Sequence, residues 1–570
     1  MSQSSKDARN MLASAALGTT TLVFVQLASR LFVFASNQMV LRSLSPSILG
    51  LSAQLELFSI SILYFSRESI RAAIQRQPLQ PPDGDSPTTG TDAISTETEQ
   101  EKRTAQAISS QTIVNMCYLS IGMGIATATA FGSFYLHFAS EEVSKTPYYH
   151  ASVAITAVAS IIELCSEPMF AVVQQYMLYS KRAVVEVSAA FTKSLVTCAV
   201  SLWVMQLSHG FGALPFALGY LSYALMALCG YYSVALHQSS NVHFSLLLSR
   251  IDPRPDATYL VDRFSKQLIE LSANVFFQSV VKHLLTQGDS MILAAMTSLQ
   301  DQGIYSLASN YGGLLARILF QPVEESSRAI FSSLLSAKGS KGQKINTEAA
   351  KTHLLRTMRG YMVIAVVIIP LGPTLAPRAL HILGGRRWTA PEIDALLALY
   401  CYYIPFLAFN GIGEAFVSST ANPTELRKQA AWMGLFSICY AVAAYMFLSM
   451  GGLGARGLVY ANIVNMSVRT IWSFCFVRQF LHKQGSSLAL NEFTLRPKTY
   501  AIGAAVTILF SGSGLKLDSR HEFLPFMIGV VYVLIVFYCE REQAMAYYDK
   551  ALQLLRSRNM GSKIQRRKMD

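Results

Sequence analysis

Four polar residues recur at helical spacing inside an apolar stretch of the chain. Arg317, Gln321, Glu324 and Arg328 lie four, three and four residues apart within the stretch 303–335. Such spacing places side chains on one face of an α-helix. An ionised side chain at the centre of a lipid bilayer costs at least about 2.5 kcal/mol, so we expect this face to contact water or other helices rather than lipid.

Charged and amide side chains recur in other apolar stretches. We expect an embedded cavity lined by Arg30, Arg42, Lys193, Lys282, Arg317, Arg469, Asn37, Asn410 and Asn465. The embedded acids are Glu163, Glu167, Asp289 and Glu414. Guanidinium groups bind phosphate oxygens in a bidentate manner, so an excess of cations in the cavity predicts an anionic, phosphorylated ligand. The alternative interpretation is that these charges pair with one another and lock helices together.

A short motif occurs twice along the chain. The sequence FSRESIRAAI, residues 65–74, matches PVEESSRAIF, residues 322–331, when Arg67 is aligned with Glu324. We expect these charges to form a cytosolic gate made of Arg67, Glu68, Arg71, Glu324, Glu325 and Arg328. Because the two copies lie in corresponding apolar stretches, they also indicate a duplicated six-helix unit, which is a known plan among transporters.

The composition is that of a membrane protein. The 570 residues are 52% hydrophobic and 14% charged, with a mean hydropathy of +0.34; a soluble domain has about 25% charged residues. Apolar stretches of the length that a bilayer requires occur about fourteen times, the fourth from Ala151 to Leu178. The predicted fold is an all-α polytopic membrane protein, with two six-helix lobes around a central cavity and two C-terminal helices.

The predicted boundaries follow the repeat. The N-lobe covers residues 1–236 and contains a disordered cytosolic loop at 75–104, which is rich in Pro, Ser, Thr and acidic residues. A cytosolic linker at 237–267 leads to the C-lobe at 268–480, which is followed by two helices at 481–539 and a basic cytosolic tail at 540–570. Basic residues concentrate on one side of the predicted spans, which predicts that both termini are cytosolic.

Several classes of function have no support in the sequence. The net charge of +13 comes from short loops between spans, so it indicates topology and not nucleic-acid binding. The eight cysteines form no pair at metal-ligand spacing, and there is no Gly-rich phosphate loop or hydrolase motif. We therefore expect no enzyme activity, no cofactor and no bound metal.

Two segments carry a resemblance to a known family. The segments DQGIYSLASNYGGLLARILFQPVEESSRAIF, residues 301–331, and FSRESIR, residues 65–71, resemble the oligosaccharide-diphosphodolichol translocation family of the endoplasmic reticulum. That family belongs to the multidrug/oligosaccharidyl-lipid/polysaccharide flippase superfamily. One departure is Gly312-Gly313, where the family more often has Gly-Ser.

The resemblance implies a function in N-glycosylation. It implies movement of a heptasaccharide on diphosphodolichol from the cytosolic to the lumenal leaflet of the endoplasmic reticulum membrane, with the glycolipid, membrane lipids and glycosylation enzymes as partners. It also implies substrate contacts for Arg30, Arg42, Arg67, Glu68, Arg71, Arg317, Glu325 and Arg469. Two alternatives stay open: an accessory protein with the same fold that moves nothing, and a cation/H+ antiporter that uses Glu163 or Glu414.

Overall fold

The computed structural model describes residues 38–42, 44–76, 94–206, 210–242, 244–251, 259–335, 343–384, 388–511 and 524–541. Within these ranges the chain is almost entirely helical. The helices of the first half are α1 (Pro46–Arg76), α2 (Ile94–His137), α3 (Glu141–Ser144), α4 (Tyr149–Cys165), α5 (Glu167–Gln175), α6 (Tyr179–Met205), α7 (Leu214–Val242), α8 (Lys266–Met296) and α9 (Leu299–Leu315). Those of the second half are α10 (Gln321–Leu335), α11 (Gln343–Gly384), α12 (Pro391–Thr420), α13 (Pro423–Tyr445), α14 (Gly454–Lys483), α15 (Pro497–Ser511) and α16 (Leu524–Cys539). Strands β1 (Tyr259–Leu260) and β2 (Phe264–Ser265) form a short antiparallel hairpin.

Eight helices in the described ranges are long and apolar enough to cross a bilayer. The shortest of these spans has 23 residues and the longest has 37, which meets the requirement of about 20 residues. The prediction of an all-α polytopic membrane protein is therefore confirmed. The number of fourteen spans stays a prediction.

The described contacts divide the chain into two compact units, with the boundary between Gly303 and Ile304. In the first unit, α7 packs against α4 and α6, while α1 packs against α2 and α8. The core side of α1 is formed by Leu51, Leu55, Phe58 and Ile62, which are all at most 1% exposed and follow helical spacing. The predicted lobe boundaries at 236 and 268 rest on the sequence repeat and stay a prediction.

Helices α1 and α9 meet at two glycines. A Cβ atom at Gly50 would overlap the backbone oxygen of Leu299, and one at Gly303 would overlap that of Pro46. Small residues allow two membrane helices to approach backbone to backbone, where close packing replaces the hydrophobic effect as the stabilising term. Both glycines are therefore required for this helix contact.

An extended segment, residues 244–251, is attached to α2 by side chains of that helix. The amide of Asn115 donates to the backbone oxygens of Ser249 (2.8 Å) and Arg263 (2.9 Å), and its oxygen accepts from the Ser249 N–H. Gln111 bonds the same segment at the Ser245 N–H and the Leu247 oxygen. These amides take the place of a neighbouring strand, because each supplies one donor and one acceptor to the extended backbone.

We expect Asn115→Ala to lower the free energy of unfolding by about 1–3 kcal/mol. The substitution leaves three backbone groups without their partner, and Asn115 itself is fully buried. Thermal and denaturant unfolding of the purified protein would measure the loss. Thr129→Ala is the control, since this exposed hydroxyl bonds only a carbonyl of its own helix; a loss no larger than that of the control would contradict the prediction.

In the second unit, α11 packs against α12, α15 and α16, and α12 packs against α14 and α10. Tyr532 of α16 donates to the backbone oxygen of Val366 in α11 at 2.7 Å. Outside the apolar segments, Lys351 contacts Glu492 at 2.9 Å, and this hydrogen bond lowers the pKa of the Glu492 carboxyl. Tyr532 thus fastens α16 to α11, and Glu492 fastens the segment before α15 to the same helix.

One expectation about the first unit needs correction, and one gains detail. The loop predicted at 75–104 is shorter, because α1 continues to Arg76 and α2 begins at Ile94; residues 77–93 lie outside the description. Residues 94–104 are polar, which favoured a loop in the sequence interpretation. They are nevertheless rich in Glu, Gln, Lys and Arg, which have high helix propensity and explain why the helix begins at Ile94. The span predicted at 151–178 corresponds to one candidate span, Tyr149–Gln175, which is broken at Ser166 into α4 and α5.

Candidate functional site

Arg67 and Arg71 meet the carboxylates of Glu163 and Glu167 inside the first unit. The two arginines are four residues apart on α1 and share a face, as do the two acids across the α4–α5 junction. Arg67 Nη1 donates to Glu163 at 2.7 Å and to Glu167 at 3.0 Å. Arg71 binds Glu167 through both Nε (2.7 Å) and Nη2. We call these four residues the buried charge cluster.

The break between α4 and α5 positions the acids of this cluster. Pro168 is the second residue of α5 and has no N–H, so it cannot donate to the Leu164 oxygen as a continuous helix would require. At the break, the hydroxyl of Ser166 donates to the backbone oxygen of Glu163 at 2.7 Å. Glu167 therefore stands at a helix N-terminus, where a negative charge is favoured.

Aromatic and charged groups surround the cluster. The guanidinium of Arg71 lies over the ring of Phe170 at 4.0 Å, and that of Arg182 lies over the same ring at 4.8 Å. Arg182 also contacts Glu186 at 2.8 Å. The cluster together with this pair has three cations and three anions, so these six charges cancel. Such a site holds helices together, and it has no net positive charge that would attract a phosphate.

Helix α8 is joined to α1 by a second set of contacts. Lys282 contacts Glu68 at 3.3 Å, and both side chains are partly open to the surroundings. The neighbouring residue His283 is buried, bonds the Ser61 hydroxyl at 3.0 Å and packs against the ring of Tyr64. The predicted cavity residue Lys282 is thus paired with the predicted gate residue Glu68.

Lys193 of α6 differs from the other embedded cations. Its ammonium group lies over the ring of Tyr220 at 4.0 Å. Among the described residues, no carboxylate lies within ion-pair distance of it, although Glu56 and Glu163 are within electrostatic range. A partly buried cation without an ion pair retains its attraction for an anion. Lys193 is therefore the strongest candidate in the first unit for a phosphate contact.

In the second unit, Arg469 of α14 forms an ion pair with Glu414 of α12. Arg469 Nε donates to Glu414 Oε1 at 3.0 Å, and Nη2 donates to the same oxygen. The carboxylate of Glu324 lies against the backbone of α12 at Gly411, so close that a Cβ there would overlap it. Asn410, beside Gly411, is 7% exposed.

The remaining candidate residues are dispersed or lie outside the description. Arg30, Asn37 and the side chain of Arg317 are not among the described parts of the chain. Arg42 and Arg328 are exposed, and Asn465 is half-buried. Glu325 accepts a hydrogen bond from Gln321, and Asp289 accepts one from the Ser290 N–H. The structure pairs some of the predicted gate residues with some of the predicted embedded acids. The sequence alone does not specify these pairs.

Comparison with known proteins identifies the family. A family model described as "Rft-1: Rft protein" matches residues 14–550. The chain belongs to the Rft-1 family. A Saccharomyces cerevisiae relative of this Rft-1 family chain is 31% identical over 580 residues, which cover 96% of this chain and 98% of the relative. A Yarrowia lipolytica relative is 31% identical over 548 residues, covering 92% and 78%. Both are named "Man(5)GlcNAc(2)-PP-dolichol translocation protein RFT1".

Among solved structures, this Rft-1 chain is similar to "Lipid II flippase MurJ, inward closed conformation" with a TM-score of 0.58. The match covers 94% of the chain and 100% of the solved one at 12% sequence identity. At that identity the likeness concerns the fold alone. It agrees with the family resemblance given by residues 65–71 and 301–331.

Sequence reasoning about this Rft-1 chain missed the groups around the buried charge cluster. Arg182 and Glu186 lie four residues apart and would have been recognisable as a pair. No pattern in the sequence places Phe170 between two arginines, because that contact depends on how α1, α5 and α6 pack. In the described residues, no group of three His, Cys, Asp or Glu side chains could hold a metal ion.

Proposed function

We propose that this chain moves an oligosaccharide linked to diphosphodolichol from the cytosolic to the lumenal leaflet of the endoplasmic reticulum membrane. The observation that carries the proposal is the family match over residues 14–550, together with relatives named for that translocation that align over nearly the whole chain. The membrane-protein fold and its likeness to a lipid flippase structure support the same proposal.

The proposed chemistry is recognition of the diphosphate by embedded cations. Lys193, which has no ion pair among the described residues, supplies one such contact. Arg30, Arg317 and Arg42 are further candidates from the sequence. Arg67, Arg71 and Arg469 have carboxylate partners, so they would need to exchange a carboxylate for a phosphate. We propose that such exchange accompanies alternating access, with Glu68, Glu325 and Arg328 at the cytosolic end.

The location and orientation belong to the same proposal. The distribution of basic residues supports cytosolic termini, and the relatives' names support the dolichol pathway of the endoplasmic reticulum. The names describe a translocation protein, which supports a transport function without catalysis. We further propose glycosylation enzymes of that pathway as partners, which crosslinking in native membranes would test.

Reconstitution separates transport from an accessory function. The full chain is placed in vesicles with a defined diphosphodolichol-linked oligosaccharide, and the glycan accessible to a lectin outside the vesicles is followed with time. We expect movement across the bilayer to be faster than in empty vesicles and in vesicles with an unrelated polytopic membrane protein. Movement at the rate of empty vesicles would remove the transport proposal and leave the accessory function.

A further inference from the structure

The ammonium group of Lys193 is held by an aromatic ring. It lies 4.0 Å from the centroid of the Tyr220 ring on the neighbouring helix α7, and the lysine side chain is half-buried. The face of an aromatic ring carries partial negative charge, which attracts a cation most strongly where water is scarce. The ring has no net charge, so it stabilises the ammonium group without neutralising it.

Other cations of the first unit are neutralised by carboxylates. Arg67 and Lys282 both have such partners. Among the described residues, no acid lies within ion-pair distance of the Lys193 ammonium group. Two acids lie within electrostatic range of it, but Glu163 is bound by Arg67 and Glu56 is exposed. The positive charge of Lys193 is therefore retained and attracts an anion.

A glycine sets the distance between α6 and α7 at this level. A Cβ atom at Gly219, the residue before Tyr220, would overlap the hydroxyl of Thr197 and lie 3.4 Å from the backbone oxygen of Lys193. Thr197 follows Lys193 by about one helical turn, so both lie on the face of α6 that meets α7. Because Gly219 has no side chain, the two helices approach closely enough for the ammonium group to reach the ring.

The side chain of Tyr220 is itself fixed by packing. It packs against the apolar core that includes Leu55 and Phe58 of α1 and Val153 of α4. A lysine side chain without contacts samples many rotamers, and restricting it costs conformational entropy. The fixed ring restricts the Lys193 ammonium group before any ligand binds, which lowers the entropic cost of binding.

We propose that Tyr220 is the positioning residue for the contact between Lys193 and the diphosphate. Its ring holds the ammonium group between α6 and α7 and leaves the positive charge available to a phosphate oxygen. A carboxylate in the same place would also position the ammonium group, but it would compete with the phosphate for the charge. The inference rests on the proposed function, in which Lys193 binds the diphosphate, and adds the residue that prepares Lys193 for it.

Inorganic pyrophosphate is a water-soluble probe of this contact, and calorimetry of the purified full chain measures its dissociation constant. We expect Tyr220→Leu to raise the dissociation constant by roughly threefold to tenfold, because the lysine side chain then loses its freedom only upon binding. Tyr220→Phe keeps the ring and should bind as the original chain does. Lys193→Met should bind more weakly than Tyr220→Leu, because it removes the charge itself.

Tyr232→Leu is the matched control, because it makes the same change at an exposed position of α7. It should bind pyrophosphate as the original chain does. Glu56→Gln should bind at least as tightly, since it removes a negative charge within electrostatic range of Lys193. Thermal unfolding verifies that each variant is folded. If Tyr220→Leu does not fold, Tyr220→Met takes its place, because the flexible methionine side chain fills irregular apolar space.

Three results would overturn the proposal. The original chain does not bind pyrophosphate, Tyr220→Leu binds it as tightly as the original chain, or Tyr220→Phe loses as much affinity as Tyr220→Leu. Weaker binding by Glu56→Gln would assign the positioning to that acid instead of the ring.

The vesicle assay distinguishes this inference from the transport proposal. If the chain shows the expected pattern of pyrophosphate binding but moves no glycolipid, the role of Tyr220 is supported and transport is removed. If Tyr220→Leu moves glycolipid and binds pyrophosphate as the original chain does, the role of Tyr220 is removed and transport is retained.

Discussion

Replacing Glu167 with alanine is expected to lower the free energy of unfolding by about 3–5 kcal/mol. This carboxylate is 1% exposed and accepts hydrogen bonds from both Arg67 and Arg71. Removing this carboxylate leaves Arg71 without a carboxylate partner and leaves Arg67 with one partner instead of two. Both guanidinium groups stay partly buried inside the protein. Unfolding of the purified chain by heat and by denaturant would measure the effect.

The matched control for this prediction is Glu141→Gln. Glu141 pairs with Lys145, but both side chains are largely exposed, and such pairs contribute about 0–1 kcal/mol. Glu167→Gln should give an intermediate loss, because the amide keeps hydrogen-bonding capacity without the charge. A loss for Glu167→Ala as small as that for Glu141→Gln would contradict the structural reading of the buried charge cluster.

The second large effect is expected at Lys193. Lys193→Met should slow glycolipid movement by roughly tenfold or more, about 1.4 kcal/mol in activation free energy, because it removes a cation available to the diphosphate. Its folded state should be at least as stable as the original, since a partly buried charge without an ion pair is unfavourable for folding. The vesicle assay and thermal unfolding measure the two quantities separately.

The combination of lower activity and undiminished stability distinguishes a ligand contact from a structural one. Lys181→Met, on the exposed start of the same helix, is the control and should change neither quantity. Lys193→Arg keeps the charge and should retain most of the movement. If Lys193→Met moves glycolipid at the original rate, or loses activity only by unfolding, the assignment of Lys193 to the diphosphate is wrong.

The sequence predicts the class of fold because the length of the apolar stretches and the scarcity of charge follow directly from the bilayer. The spacing of Arg67 and Arg71, and of Glu163 and Glu167, also shows which side chains share a face. Their mutual pairing is not visible in the sequence, because it depends on which helices become neighbours. The break at Ser166 had a local signal in Pro168. The prediction missed it because the surrounding apolar stretch has the length of a single continuous span.

Other features had no signal in the helical spacing of the polar residues. The π-helical turn at Ala316–Phe320, before Pro322, changes the helix period just where a uniform α-helix was assumed for the stripe from Arg317 to Arg328. The attachment of residues 244–251 by Asn115 and Gln111 requires a helix and a distant segment to meet. Polar residues on an apolar helix indicate that partners exist, but they do not say which ones.

The buried charge cluster has a consequence for biosynthesis. Arg67 and Arg71 leave the ribosome 96 residues or more before the carboxylates that neutralise them. Until α4 and α5 are made, α1 must extend these side chains toward the headgroups or delay its release from the translocon. Nascent chains truncated before residue 163 should therefore be held at the translocon or degraded, and those that include Glu167 should be released into lipid.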